Sequence, residues 1–228
     1  MKITRIECLV LDRQYLLVRV YTDEGLVGIG ECFRRQLPAT KATIEEVLAP
    51  LLIGEDPLAI EALWNKMHDA VRMIGVHGFS ATAMAGVDIA LWDLKGKALG
   101  VPVYQLLGGK IRDKIRVYAS SLRRDLTPQE EARRAAQFAE AGYTAYKLHS
   151  AVPGAIDDAA DRTVETVKAV REAVGEKFDI LVDVNGAYSP HHAIAIGRRL
   201  EDLGVFHFEE PVPFYDLPGL AQVADALS

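Results

Sequence analysis

The stretch FDILVDVNGAYS, residues 178–189, decides how this chain is read. Ile180-Leu181-Val182 is a short apolar run of the kind that is buried on both faces of a parallel sheet. It leads into Asp183 and Asn185, which are two apart and therefore share a face of the strand. Gly186 follows, and then a helical pattern, SPHHAIAIGRRLEDLG (189–204). A buried strand that aims a carboxylate and an amide the same way before turning into a helix reads as the carboxyl end of a βα unit. Function collects at such ends in parallel α/β sheets.

Similar units lie on either side. AYKLHS (145–150) precedes the helical DRTVETVKAVREAVG (161–175), and VFHFEEP (205–211) precedes LPGLAQVADALS (217–228). Upstream, KIRVYASS (114–121) reads as a strand and TPQEEARRAAQFAEAG (127–142) as a helix with a Thr cap and a Gly stop. Strands alternating with helices at this spacing predict βα units on a parallel sheet.

Three successive strand ends then read Lys147-Leu148-His149, Asp183-Val184-Asn185 and Glu209-Glu210-Pro211. Parity puts Lys147 with His149, and Asp183 with Asn185. Carboxylates on neighbouring strand ends are costly in a low dielectric unless they are neutralised. Mg²⁺, which takes oxygen ligands, would remove that cost. Lys and His beside it can move protons near neutral pH once their environment tunes them. Each piece alone has a plainer reading: an Asx cap, a solvated strand end, a surface Lys–His pair. Their order on consecutive strands raises them together.

The N-terminal part has a different rhythm. ITRIECLVL (3–11) and YLLVRVYTDEGLVGIGECF (15–33) predict three antiparallel strands, with Asp23-Glu24-Gly25 as a turn. Helical patterns follow at 42–54, at 57–73 starting from Pro57, and at 80–99. This is a small α+β domain.

The chain has 228 residues and a net charge of −6, with its basic pairs scattered, so nothing points to nucleic acid or an anionic membrane surface. No run of about 18 apolar residues suggests a membrane span. The N-terminus lacks the apolar core of a signal peptide. Two cysteines, Cys8 and Cys32, make no disulfide framework. A cytoplasmic setting is expected.

AMAGVDIALWDLKGKALGVPVYQLLGG (83–109), with Asp88, Asp93, Lys97, Pro102 and Gly108-Gly109, together with VDVNGAYS and FEEPV, resembles the enolase superfamily in its mandelate racemase and muconate lactonizing enzyme branch. The resemblance implies an α+β capping domain over residues 1–112 and, over 113–228, the N-terminal half of a (βα) barrel of the TIM type. It implies Asp183 and Glu209 as Mg²⁺ ligands, since the family pattern reads Glu, any residue, Pro. It also implies Lys147 and His149 as the catalytic residues, His149 as the base or acid and Lys147 holding the substrate carboxylate, with Asn185 supporting the substrate or metal shell. The loop CFRRQLPATK (32–41) would meet the substrate, with Arg34 suited to a carboxylate; a plain surface loop is the other reading. The family removes a proton next to a carboxylate through a Mg²⁺-held enediolate.

Two departures matter. Much of the branch reads Lys-x-Lys where this chain reads Lys147-x-His149. The variant favours acid-sugar dehydratases, with a sugar lactone cycloisomerase or a racemase of the same branch as alternatives. A barrel of this type also needs about 250 residues, and only about four of its eight βα units are read here. The chain therefore reads as truncated, without the third carboxylate ligand and the opposing acid/base. The expected substrate is a small carboxylate such as an acid sugar, and the full-length form is expected to be a homo-oligomer. A truncated, non-catalytic remnant and a half-barrel completed by a partner chain remain open readings.

Overall fold

The computed structural model describes residues 1–152 and 154–228. The chain divides into two units, Met1–Asp113 and Lys114–Ser228.

In the first unit, β1 (Ile3–Leu11), β2 (Tyr15–Thr22) and β3 (Val27–Cys32) form an antiparallel sheet in the order β1-β2-β3. Alternate residues Leu16, Val18 and Val20 are wholly buried, as a half-buried meander requires. Next comes a continuous helical segment: α1 (Leu37–Ala42), a π turn (Thr43–Leu48) and α2 (Ala49–Leu52). It starts five residues before the expected 42. The π turn has a local cause. Pro50 lacks the next amide donor, and Ala49 donates to the Ile44 carbonyl five residues back.

Helix α3 (Ile60–Val71) does not begin at Pro57 as the sequence suggests. The Asp56 carboxylate accepts from the Leu58 amide at 3.0 Å, which holds Pro57 in a turn ahead of the helix. Helix α4 (Phe79–Leu99) packs on the sheet, and α5 (Val103–Leu106) follows it.

Helix α4 approaches β3 closely because β3 presents glycines. A Cβ on Gly28 would lie 2.0 Å from the Ala90 carbonyl oxygen, and one on Gly30 would lie 2.0 Å from that of Gly86. β3 is an edge strand, and α4 also satisfies its outer backbone. Asp93 accepts from the Ile29 amide at 2.8 Å, while Lys97 donates to the Val27 carbonyl at 2.8 Å and to Asp93 at 2.6 Å. Asp93 and Lys97 thus cover an edge that would otherwise present free polar groups.

In the second unit, β4 (Ala119–Ser120), β5 (Ala145–His149), β6 (Asp179–Asp183) and β7 (His207–Glu209) form a parallel sheet in the order β4-β5-β6-β7. Helices α6 (Pro128–Glu140), α7 (Thr163–Val174), α8 (Pro190–Asp202) and α9 (Leu217–Ala226) alternate with the strands. The first strand is much shorter than the expected 114–121, because only Ala119 and Ser120 find partners on β5. Thr127 caps α6 in a reciprocal box, with Glu130 donating to its hydroxyl and accepting from its amide.

The strands of this sheet divide their side chains cleanly. Tyr146, Leu148, Ile180 and Val182 are wholly buried in the core shared with the helices. Each such side chain contributes roughly 1.5–3 kcal/mol, as an upper estimate. Lys147, His149 and Asp183 alternate with them and so face the other way. Among the described residues, no helix is long and apolar enough to cross a membrane.

Candidate functional site

The strand register builds the site. His149 pairs with Asp183 across β5 and β6, and Asp183 pairs with Glu209 across β6 and β7. The three residues therefore form one row at the carboxyl ends of adjacent strands. Lys147 lies one layer lower, opposite Leu181, on the same face as His149. Its ammonium rises to both acids, 3.0 Å from Asp183 Oδ2 and 2.6 Å from Glu209 Oε1. His149 Nε2 lies 3.1 Å from the same Asp183 oxygen, and His149 Nδ1 lies 2.5 Å from the Ser121 carbonyl. Each ring nitrogen faces an oxygen, the Asp183 carboxylate on one side and a backbone carbonyl on the other.

Asp183 is almost fully enclosed, with its side chain 4% exposed. Burial pushes its carboxyl up, but hydrogen bonds from His149, Lys147 and the Asn185 amide outweigh burial and hold it well below the usual carboxylate range. Burial pushes the Lys147 ammonium down, and its bonds to Glu209 and Asp183 outweigh that and raise it above the usual lysine value. The two directions agree: the charged pair is the stable state of this arrangement.

Beyond the strand ends the backbone turns sharply. Asn185 and Glu210 both have left-handed φ, 48° and 45°. Gly186, at φ 71°, donates to the Glu210 carbonyl at 2.7 Å, and a Cβ there would lie 2.9 Å from Pro213 Cα. The turn folds the Asn185 side chain back onto the site. Its Nδ2 donates to Asp183 Oδ1 at 2.8 Å and to Glu210 Oε2 at 3.1 Å, and its backbone amide donates to Asp183 Oδ1 at 2.9 Å. Its carbonyl oxygen accepts from Arg124 Nη2, and Arg124 Nε donates to the Ala151 carbonyl at 3.0 Å.

Lys147, His149, Asp183, Asn185 and Glu209 thus converge within one unit. Arg34 lies in the other unit, exposed in the bend after β3. Sequence reasoning passed over Arg124, which it grouped with the scattered basic pairs, and the Ser121 carbonyl. Neither carries a local signal, because their partners lie 61 and 28 residues away. An open hollow against the same strand ends is lined by Asn185, Gly186, Glu210, Pro213, Phe214 and Tyr215. A second hollow, between α8 and α9, is mainly apolar and includes none of the converging residues.

The donor chemistry can be tested against a hard divalent cation. Two carboxylates from neighbouring strands converge on one cationic group, the Lys147 ammonium, which shows that the place favours positive charge. Asp183 and Glu209 fit as two of the oxygen ligands that Mg²⁺ takes. Among the described residues no group of three or more His, Cys, Asp or Glu is arranged to hold a metal, so these residues would supply two ligands of a larger set.

A parallel βα sheet that gathers acids, a lysine and a histidine at its strand ends, in a chain that opens with an antiparallel α+β unit, defines the class of α/β proteins with a polar cluster at the carboxyl ends of the strands. Comparison with known families is more specific. Residues 8–108 match the mandelate racemase/muconate lactonizing enzyme N-terminal domain, and residues 130–228 match the enolase C-terminal domain-like family. The chain belongs to the mandelate racemase/muconate lactonizing enzyme branch of the enolase superfamily.

Among similar proteins, an arabinonate dehydratase of Saccharolobus solfataricus is 36% identical over 219 residues, covering 94% of this chain and 57% of the relative. A D-galactarolactone cycloisomerase of Agrobacterium fabrum is 36% identical over 214 residues, covering 92% of this chain and 54% of the relative. A mandelate racemase/muconate lactonizing protein from Paracoccus denitrificans, crystallised with magnesium, superposes with a TM-score of 0.93 at 34% identity, over 100% of this chain and 63% of its own. The chain spans about half the length of the curated relatives it matches.

Proposed function

We propose that this protein is a Mg²⁺-dependent enzyme that removes the proton next to a carboxylate, and that its reaction is the dehydration of an acid sugar. The observation that carries the reading is the single row His149–Asp183–Glu209, with Lys147 bridging the two acids. Asp183 and Glu209 would hold the metal, which when bound stabilises negative charge developing on the substrate carboxylate. His149 is the acid/base group, and Lys147 would hold the substrate carboxylate. Asn185 and Arg34 are the residues assigned to substrate.

Dehydration needs a base for the α-proton and an acid for the departing β-hydroxyl. His149, at the strand end with Nε2 toward Asp183 and Nδ1 toward the Ser121 carbonyl, is the group proposed to move the α-proton. Lys147 is held as an ammonium while it neutralises both acids. As a cation beside the site it is suited to a substrate carboxylate.

The test is proton exchange. The chain with Mg²⁺ is incubated in D₂O with arabinonate, galactonate, gluconate and xylonate, and the α-proton signal is followed by NMR. Loss of that signal, with a 2-keto product, is expected for at least one acid; no exchange with any of them would overturn the reading. His149→Ala should block exchange. Glu209→Gln should abolish the Mg²⁺-dependent reaction, while Glu210→Gln retains part of it; equal loss from both would mean that the metal ligand is misassigned. The cycloisomerase relative matches at the same identity as the dehydratase, so galactarolactone belongs in the panel as the second substrate class. The reading includes a reducing cytoplasmic setting, in keeping with the buried free thiols Cys8 and Cys32, and association of full-length copies, which native mass spectrometry would reveal.

A further inference from the structure

We infer that Arg124 is a positioning residue of this site: its guanidinium fixes the orientation of the Asn185 amide, and Asn185 in turn fixes the Asp183 carboxylate. Arg124 lies just beyond β4, yet it reaches the ends of β5 and β6. It donates to the Ala151 carbonyl after β5 and to the Asn185 carbonyl oxygen after β6. Through Asn185 Nδ2 it is linked to Glu210 after β7.

The argument rests on donor and acceptor identity. A guanidinium has donors and no acceptor, and a carboxylate has acceptors and no donor. Asn185 sits between the two kinds. With its oxygen toward Arg124, its Nδ2 must face Asp183 Oδ1 and Glu210 Oε2, as it does. Turned by 180°, it would oppose its oxygen to two carboxylates and its NH₂ to a cation. Asp183 Oδ1 is thereby engaged by two donors from Asn185, which leaves Oδ2 as the oxygen that meets Lys147 and His149. Both ends of the Asn185 amide are engaged within the protein, so its first task is to support Asp183. The neighbouring Arg123 does not share this role, since it pairs with Asp125 at 2.5 Å on the surface.

The test uses the full, uniformly ¹⁵N-labelled chain without metal. In the wild type, the Asn185 side-chain NH₂ should give two dispersed signals that exchange slowly with water. In Arg124→Met those signals should collapse toward the free-amide position and exchange at least about tenfold faster, while the backbone amides of Ile180 and Val182 stay in place. Arg123→Met should change neither. Unchanged Asn185 signals in Arg124→Met would overturn the inference. If Arg124→Met does not fold, the wild-type guanidinium decides: resolved Nη signals, reporting blocked rotation, support the assignment, and one averaged signal overturns it.

A second arm rests on the reading of Asp183 as a metal ligand. Mg²⁺ affinity, followed by calorimetry, should fall roughly 10–100-fold in Arg124→Met, the range for residues that orient ligands. Wild-type affinity in that variant would count against the positioning role. A wild-type chain that takes up no Mg²⁺ would instead sink the metal reading, and the NMR arm would still judge Arg124.

Discussion

Asp183 is held by four donors, two on each oxygen, and its depressed carboxyl makes the site a term in the stability of the fold. Asp183→Asn should cost about 3 kcal/mol at neutral pH, because it leaves Lys147 and His149 facing an amide in a buried place. The sign of the pH dependence follows from the direction of the shift. A carboxyl depressed on folding contributes fully above its unfolded value, about pH 3.9, and that contribution is lost as pH falls through the lower folded value. Urea unfolding of the wild type and Asp183→Asn should therefore show a gap that the Asp183 carboxyl leaves undiminished from about pH 5 to about pH 8 and that narrows below about pH 4. A gap that closes between pH 7 and 5 would mean that another group carries it. At this scale the sequence was legible where chemistry shows in local spacing. Lys147, His149, Asp183 and Glu209 could be read from strand ends and parity. Arg124 could not, because a long side chain reaching across two strand ends leaves no periodic trace.

Glycines set the spacing of β3 against α4. Gly30→Ala would drive a methyl group into the Gly86 carbonyl, a backbone atom that cannot rotate away. The substitution should destabilise the Met1–Asp113 unit by at least about 2 kcal/mol, the scale of overpacking in a close-packed core, as read by thermal or urea unfolding. An unchanged midpoint would show that the helix can slide at little cost. Elements were legible where one pattern sufficed, as in the alternation of β2 or the capping box of α6. They were misread where a neighbour overrode the local signal. Pro57 suits a first helical turn, but the Asp56 side chain captures the backbone ahead of it. Lys114–Tyr118 has strand-like composition, yet a strand exists only where partners pair with it, and β5 pairs with Ala119 and Ser120 alone.

Among the described residues, the two apolar cores share no residue: one lies within Met1–Asp113 and the other within Lys114–Ser228. Both cysteines belong to the first. Burial pushes the Cys8 thiol up to about 12 and that of Cys32 up to about 11, so neither presents thiolate at pH 8. A thiol reagent should leave the native chain unmodified and should react in step with the opening of that core in urea. Gly30→Ala should bring the reaction on at lower urea. Rapid modification of the untreated wild type would mean that the core opens more readily than its burial implies. The second core gives no thiol signal at all, and amide exchange at Ile180 and Val182 would report on it.

In the parallel sheet, even-numbered residues on β5 and β6 build the core shared with the helices, whereas Lys147, His149 and Asp183 fall at odd-numbered positions. Mutations that retune the chemistry and mutations that retune the packing therefore fall on different codons of the same short segments. A lineage can exchange a lysine for a histidine at position 149 without renegotiating Tyr146, Leu148, Ile180 or Val182. Reactivity in such a sheet can drift while the architecture stands still, and an engineer could vary the two independently.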